Sequence, residues 1–403
     1  MGGKAVIAMS GGVDSSVAAA LMLERGFECV GVTLKLFDND DLGTPRYGAC
    51  GSGAAVPRRG CSSGAAVPHR GCSSGTTTSH RVCSSGTTTS HRGCCSLADI
   101  NDARDVAHRL GMPHYVFNFS DEFRDEVIRR FIETYERGAT PNPCIDCNRY
   151  IKFSRLLRRT VELDFNALVT GHYARVEKSG SRFLLKKASD QKKDQTYVLY
   201  CITQEQLARC VFPLGEMTKQ EVREIALERG FVNARKQDSQ DICFVPDRDY
   251  PRFIEEYSGR TGAQGDIIDT GGKPLGRHRG IIRYTIGQRR GLGLSFPEPM
   301  YVAAKSARRN TVTLGPETAL YSKTLIADNI NLIACPALDR PVKVRVKTRY
   351  LQVEQRATAE QTDRDRIRVD FDEPQRAITP GQAVVLYDGD VVVGGGTIRG
   401  EED

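Results

Sequence analysis

The chain reads as an α/β protein in three parts: an N-terminal parallel-sheet domain, a small central domain and a C-terminal antiparallel β-barrel. Three observations carry this. Apolar runs alternate with helical periodicity over the first half, and a glycine-rich turn joins the first strand to the first helix. From about Gly262 helical periodicity gives way to short apolar runs punctuated by Gly, Pro and Asp. The limits expected are 1–210 for the first domain, 211–305 for the second and 306–403 for the third.

In the first part, Lys4 to Met9 reads as a strand and Val17 to Arg25 as a helix stopped by Gly26. Glu28 to Leu34 is a second strand. Ser96-Leu97-Ala98-Asp99 has the form of a capping box opening a helix that runs to Leu110 and stops at Gly111. His114 to Asn118 reads as a strand, Glu122 to Arg137 as an amphipathic helix, and Asn166 to Thr170 as a strand ending at Gly171-His172. Such alternation implies a parallel sheet whose ligand site lies at the carboxyl ends of its strands, where Ser10–Ser15 and Gly171-His172 can face one crevice. Helices are expected at Gln204 to Arg209 and Lys219 to Arg229. Strands of the last part are expected at Thr311 to Leu314, Val342 to Thr348, Ile367 to Phe371 and Ala383 to Leu386.

Between the second strand and the capping box, Ala49 to Arg92 consists of four eleven-residue units, such as GCSSGAAVPHR and GCSSGTTTSHR. The units have no Leu, Ile or aromatic residue, so they bring too little apolar area to offset the entropy of ordering. Cys72, His80, Cys83 and His91 are of metal-ligand type, but a tandem duplication in a surface loop accounts for the pattern, since loop closure costs grow slowly with length. The same stretch bears on charge. The chain of 403 residues carries a formal +7, yet residues 49–93 hold five arginines and no acid or lysine, so the remainder carries only +2. Any nucleic-acid reading must therefore rest on local pattern. One such pattern is Val342-Lys-Val-Arg-Val-Lys-Thr-Arg349, whose valines alternate with a ladder of basic residues suited to a phosphate backbone.

With 39% apolar and 27% charged residues the composition is that of a soluble protein. No apolar stretch of membrane-spanning length and no export signal occur, so a cytoplasmic monomer free of membrane is expected. Thirteen cysteines without an export signal disfavour a disulfide framework. Cys144 and Cys147 form a Cys-x-x-Cys pair, which the flanking prolines place on a rigid loop before a helix expected near Asn148. A thiol at a helix N-terminus is a stronger nucleophile than a free one. No second Cys-x-x-Cys completes an ordinary zinc site, and Cys243, between Ile242 and Phe244, is the third thiol of interest or else a buried small apolar residue.

The glycine turn, Ala8-Met9-Ser10-Gly11-Gly12-Val13-Asp14-Ser15-Ser16, lacks the Gly-Lys-Ser/Thr ending of a loop that grips β- and γ-phosphates. Its Ser-Gly-Gly-Val-Asp-Ser resembles instead the PP-loop of ATP pyrophosphatases, of adenine nucleotide α-hydrolase-like fold, which adenylate an oxygen so that a nucleophile can replace it. Further motifs follow in order: Pro-Asn-Pro-x-x-x-Cys-Asn-x-x-Ile-Lys-Phe (141–153), Thr-Gly-His-Tyr-Ala (170–174), Lys-Asp-Gln-Thr-Tyr (193–197), Asp-Ser-x-x-Ile-Cys-Phe (238–244), Gly-Gln-Arg-Arg-Gly-Leu-Gly (287–293) and Lys-Thr-Arg-Tyr (347–350). Together they resemble the tRNA-specific 2-thiouridylase family over nearly the whole chain outside residues 49–93. That resemblance implies ATP-dependent 2-thiolation of the wobble uridine of tRNA, by adenylation of the C2 oxygen and sulfur transfer through cysteine. A PP-loop ligase or amidotransferase acting on a small metabolite is the alternative.

The resemblance also implies roles. Ala8 to Ser15 bind ATP with Mg2+, and Leu34 and Gly171 line the adenine pocket; Leu34 stands where methionine is common. Cys147 is the nucleophile, Cys243 carries a persulfide supplied by a sulfur-donor protein, and Asp14 serves the adenylation. Asn142, Pro143 and Cys144 touch the target base, His172 lies close to the nucleotide and the RNA, and Lys193, Asp194, Gln195, Arg349, Tyr350 and Gln382 contact tRNA. Some relatives carry Asp where Cys144 stands. The extra thiol leaves two routes open: a [4Fe-4S] cluster on Cys144, Cys147 and Cys243, or a persulfide relay ending in a disulfide.

Overall fold

In a computed structural model, residues 3–37, 96–238, 241–245 and 248–400 are described, so the eleven-residue units and the metal-ligand types within them lie outside the described residues. β1 (Lys4–Ala8), β2 (Glu28–Lys35), β3 (His114–Asn118), β4 (Ala167–Thr170) and β7 (Cys210–Val211) form one parallel sheet in the order β3-β2-β1-β4-β7. The central strand alternates across this sheet. Ala5 and Ile7 join an apolar cluster with Val13 and Val17 of helix α1 (Val13–Glu24), Ala103 and Val106 of α2 (Leu97–Arg109), and Val222 and Ala226 of α5 (Lys219–Glu228). Val6 faces the other way, into a cluster with Phe123 and Phe131 of α3 (120–136) and Ile151 and Phe153 of α4 (143–162). Coverage on both faces is what a parallel sheet requires. Because β1 pairs with β2 on one side and β4 on the other, the strand order reverses at its carboxyl end. A crevice is expected there.

Several expectations stand in the structure. Ser96 and Asp99 form the capping box in both directions, and Val344 and Val346 are buried while Lys343 and Arg345 are exposed. Others are corrected. Helix α1 starts at Val13 rather than Val17, which puts Asp14 in its first turn. Helix α4 starts at Pro143 rather than near Asn148, so Cys144 and Cys147 sit in its first turns and not on a loop. Proline is at home there, because the N–H it lacks would have no helical partner anyway.

A hairpin of β5 (Arg175–Ser179) and β6 (Arg182–Lys186) follows β4 and was not read from the sequence. It leaves the first domain and joins the last sheet by pairing with β17 (Val391–Ile398). The texture after Gly262 resolves into two sheets. β8 (Gly265–Asp269), β9 (Pro274–His278), β10 (Tyr301–Ser306) and β11 (Thr311–Gly315) make a four-stranded sheet in which β8 and β11 run parallel. β12 (Tyr321–Leu332), β13 (Val342–Lys347), β14 (Gln355–Asp363), β15 (Arg366–Arg376), β16 (Ala383–Asp388) and β17 make an antiparallel barrel closed by the β12–β17 pairing. The domain limits expected at 210/211 and 305/306 each fall inside a strand, β7 and β10.

Candidate active site

At the carboxyl end of β1 the chain turns through Ser10, Gly11 and Gly12. Gly11 has φ +71°, and a Cβ there would lie 2.3 Å from the Asp99 carbonyl oxygen. Gly12 is the N-cap of α1 and brings no side chain to the cap. The first N–H groups of the helix are thus left for a ligand, and their dipole favours phosphate. The turn is held from behind. Ser10 N–H donates to Ser15 Oγ (3.2 Å), and Asn233 Nδ2 and Lys236 Nζ donate to the Gly11 carbonyl (3.0 and 3.1 Å). Lys236 also pairs with Asp99 and Asp102 at 2.6 Å each, joining the turn to the start of α2. Gly171, at the end of β4, abuts the first turn of α1: a Cβ would lie 2.7 Å from Asp14 C and Ser15 N. Leu34 is buried at the end of β2 and pairs in register with Phe117.

Asp14 is the end of a charged chain. It accepts from Lys219 Nζ at 2.7 and 2.8 Å and from the Tyr173 hydroxyl at 2.9 Å. Lys219, nearly buried, also pairs with Asp238 at 2.7 Å, and Lys193 pairs with Asp238 at 2.7 Å. Burial pushes the Asp238 carboxyl up, but hydrogen bonds from Lys193 and Lys219 more than offset this and hold it at about 2. Lys219, Asn233 and Lys236 were not singled out from the sequence, and Tyr173 and Asp238 stood within quoted motifs without a role. One signal was readable. Lys219 opens a helix capped by Thr218, where the helix dipole disfavours a cation, so its charge needs carboxylates elsewhere.

The neighbouring motif residues serve this frame. Gln195 Oε1 accepts from Tyr173 N–H at 2.9 Å, and Asp194 is buried, accepting from Ala188 N–H (3.1 Å) and the Thr196 hydroxyl (2.6 Å). His172 Nδ1 shares a 2.7 Å hydrogen bond with the Thr170 hydroxyl, and its ring packs against Phe153 and Phe212. Burial, with the Lys152 charge adding to it, keeps this imidazole neutral well below its ordinary range.

The cysteine helix lies under the barrel. Asn142 is extended and Pro143 begins α4; Cys144 is exposed and Cys147 buried. Gln382 Nε2 donates to the carbonyls of Thr140 (2.9 Å) and Pro141 (3.0 Å), and Thr140 N–H donates to Pro380 O. Tyr350 is an electrostatic neighbour of the same place. Burial pushes its phenol up to about 12, and the Asp194 and Cys144 charges add to that. Arg349 does not extend the exposed basic ladder as expected. Its guanidinium turns inward to the Ala377 carbonyl (2.6 Å) and the Thr379 hydroxyl (3.2 Å). Cys243 is half-buried and packs on the apolar cluster that contains Cys147; Phe244 beside it is buried edge-on against Phe123 and Phe131. Among the described residues no three His, Cys, Asp or Glu side chains are grouped to hold a metal, so Cys144, Cys147 and Cys243 do not stand as a ready ligand set for a cluster.

Comparison with known proteins agrees with this architecture. Residues 3–58 and 72–247 match the model of the tRNA methyl transferase HUP domain, 251–316 that of the tRNA methyl transferase PRC-barrel domain, and 322–398 that of the aminomethyltransferase β-barrel domain. The fold and crevice define a HUP-domain protein with two appended β domains. The relatives narrow this. The tRNA-specific 2-thiouridylase MnmA of Acetivibrio thermocellus is 44% identical over 399 residues, covering 98% of this chain and 99% of the relative. That of Symbiobacterium thermophilum is 45% identical over 402 residues (98% and 92%), and that of Clostridioides difficile 43% over 401 (99% and 99%). The chain belongs to the tRNA-specific 2-thiouridylase family. A solved complex of a 4-thiouridine synthetase with RNA and bound ATP superposes only loosely, at TM-score 0.34 and 18% identity over 61% of this chain and 46% of that one.

Proposed function

We propose that this protein replaces the C2 oxygen of the wobble uridine of tRNA with sulfur, using ATP. The observation that carries this reading is the geometry of one molecule: a phosphate cradle at Gly11–Ser15, thiols on α4 and at Cys243, and a barrel fastened to the start of α4 through Gln382. The names of the domain models speak of methyl transfer, which needs neither adenylation nor paired thiols; the full-length relatives are named for thiolation.

The chemistry follows from the leaving group. Oxide cannot depart from a uridine C2 carbonyl near neutral pH, whereas AMP can. The α1 N-terminus and the Ser10–Ser15 turn hold the phosphates of ATP, with Leu34 and Gly171 beside the adenine. Mg2+ enters with the nucleotide, because both Asp14 oxygens are already engaged by Lys219 and one also by Tyr173. A donor protein charges Cys243 as a persulfide. Its terminal sulfur attacks the adenylated C2 and AMP leaves. Cys147 thiolate then attacks the Cys243 sulfur, releasing the thiouridine and leaving a Cys147–Cys243 disulfide for an external thiol to reduce. Asn142, Pro143, Cys144, Tyr350 and Gln382 surround the base, and Lys193 and β13 serve the tRNA backbone. The protein works in this reading as a cytoplasmic monomer.

The test is stoichiometric. AMP and pyrophosphate should appear from ATP only when tRNA is present, matched by 2-thiouridine when a persulfide donor and a thiol are added. Cys147→Ser and Cys243→Ser should each abolish 2-thiouridine while tRNA binding survives. AMP formation that needs a small metabolite instead of tRNA would favour the ligase alternative.

A further inference from the structure

The loop between β13 and β14 has an unusual distribution of polarity. Its polar side chains are spent inward. Thr348 donates from both N–H and hydroxyl to Gln352 Oε1 (2.7 and 2.8 Å), Gln352 Nε2 donates to Gln375 Oε1 (3.3 Å), and Arg349 is tied to Ala377 and Thr379. The apolar side chains point out: Leu351 is 89% exposed and Val353 is 78% exposed. Single exposed aliphatic residues need no explanation, but a fixed loop that turns its polar groups in and its aliphatic groups out does. At the base of the loop Arg349 donates to the Thr379 hydroxyl, and the next residue, Pro380, accepts from Thr140 N–H, so the loop is anchored beside the segment that leads into the cysteine helix. A second observation lies on the flanking strands. Arg345 of β13 and Arg356 of β14 stand directly opposite each other, both exposed. Like charges in that position repel and favour an anion placed across them. Three acids share the groove with Lys343 and the two arginines: Glu354 is paired with Lys187 at 2.6 Å, Asp372 lies 4.0 Å from Lys343, and Asp388 lines the same groove.

We propose that Leu351 and Val353 form an apolar wedge against the anticodon bases next to the target uridine, with an RNA phosphate lying across Arg345 and Arg356. The proposal rests on the tRNA reading above. A uridine stacked in its loop cannot present C2 to an adenylating site, and enzymes acting on bases take them out of the stack, with apolar side chains filling or prying the step that is left. Leu351 and Val353 are positioning residues: they hold the base out and touch no reacting atom. The partner is RNA rather than protein because the two strands that carry the tip bear the exposed Arg345–Arg356 pair, which suits a phosphate.

The experiment uses the full chain and tRNA carrying 2-aminopurine at the wobble position, whose fluorescence rises on unstacking. The parent protein should raise the signal, and Leu351→Ser/Val353→Ser should lose most of that rise. With unmodified tRNA, 2-thiouridine formation at limiting tRNA should fall about tenfold, in keeping with one lost base contact, while the melting temperature and the KM for ATP stay unchanged. Leu351→Met should restore the signal. Unchanged fluorescence and unchanged thiolation in the double variant would overturn the wedge. So would a defect seen only with a protein sulfur donor and not with a small persulfide, which would make the tip a protein-docking site. A parent protein that forms no 2-thiouridine from any tRNA would instead overturn the functional reading beneath it.

Discussion

Replacing Lys219 by Met keeps the length of the side chain and removes its charge from between Asp14 and Asp238. Three short charge-assisted contacts are lost, at 2.7 and 2.8 Å to Asp14 and 2.7 Å to Asp238. Breaking a fully buried pair costs roughly 3–5 kcal/mol. Here the Asp14 and Asp238 side chains are 30% and 22% exposed, Asp14 keeps the Tyr173 hydroxyl, and Asp238 keeps Lys193. Water and those partners lower the expected cost to about 2 kcal/mol. For a domain of this size that is a fall in melting temperature of roughly 4–8 °C. The cost should depend on pH in one direction. The folded-state value of Asp238 is about 2, below the ordinary value near 4 for an unfolded aspartate. Its stabilising contribution is therefore complete above about pH 4 and is lost as pH falls through about 2. The variant should differ from the parent by its full amount at pH 7 and by progressively less toward pH 2. In activity, AMP formation should collapse, since Asp14 is left without its cation beside the phosphate cradle. Denaturant titrations at several pH values, together with AMP release from labelled ATP, read both. A pH-independent stability loss with normal AMP formation would refute the reasoning.

Two further variants probe the frame. Gly171→Ala places a Cβ 2.7 Å from the backbone at Asp14 and Ser15, an overpacking of about 1–3 kcal/mol that can be relieved only by shifting the start of α1; the KM for ATP should rise by roughly tenfold or more, and an unchanged value would show that the cradle does not depend on this contact. Gln382→Ala removes two hydrogen bonds to the carbonyls before Pro143, worth about 1 kcal/mol each; thiolation should slow while ATP-dependent protection of α1 from hydrogen exchange is unaltered, and loss of that protection along with slower thiolation would make Gln382 a general stability residue.

Much of the site was legible because its signals are local. The glycine turn after a strand, the capping box of Ser96 and Asp99, and the Pro-Asn-Pro segment before two cysteines depend on neighbours within a few residues. The alternation of Val342–Val346 showed which face of β13 is buried for the same reason. What could not be read depends on residues far apart in the chain. Lys219 meets Asp14 across 205 residues, and Gln382 meets Thr140 across 242. Arg349 looked like the last rung of a basic ladder, yet the loop after β13 turns it inward, because alternation stops where the strand stops.

The sequence by itself determined that the first domain is a parallel sheet with a glycine turn after its first strand, and that the last part is built of antiparallel strands. Only the tertiary structure decided that the β5–β6 hairpin leaves its own domain to extend the last sheet, that Asp14 is held by a buried lysine and a tyrosine, and that the barrel fastens the start of the cysteine helix. The division has a physical cause. Turns, caps and strand periodicity arise from interactions along the backbone that one stretch of sequence contains in full. A charge pair or a domain contact depends on which distant segments packing brings together, and for that every element must already be in place.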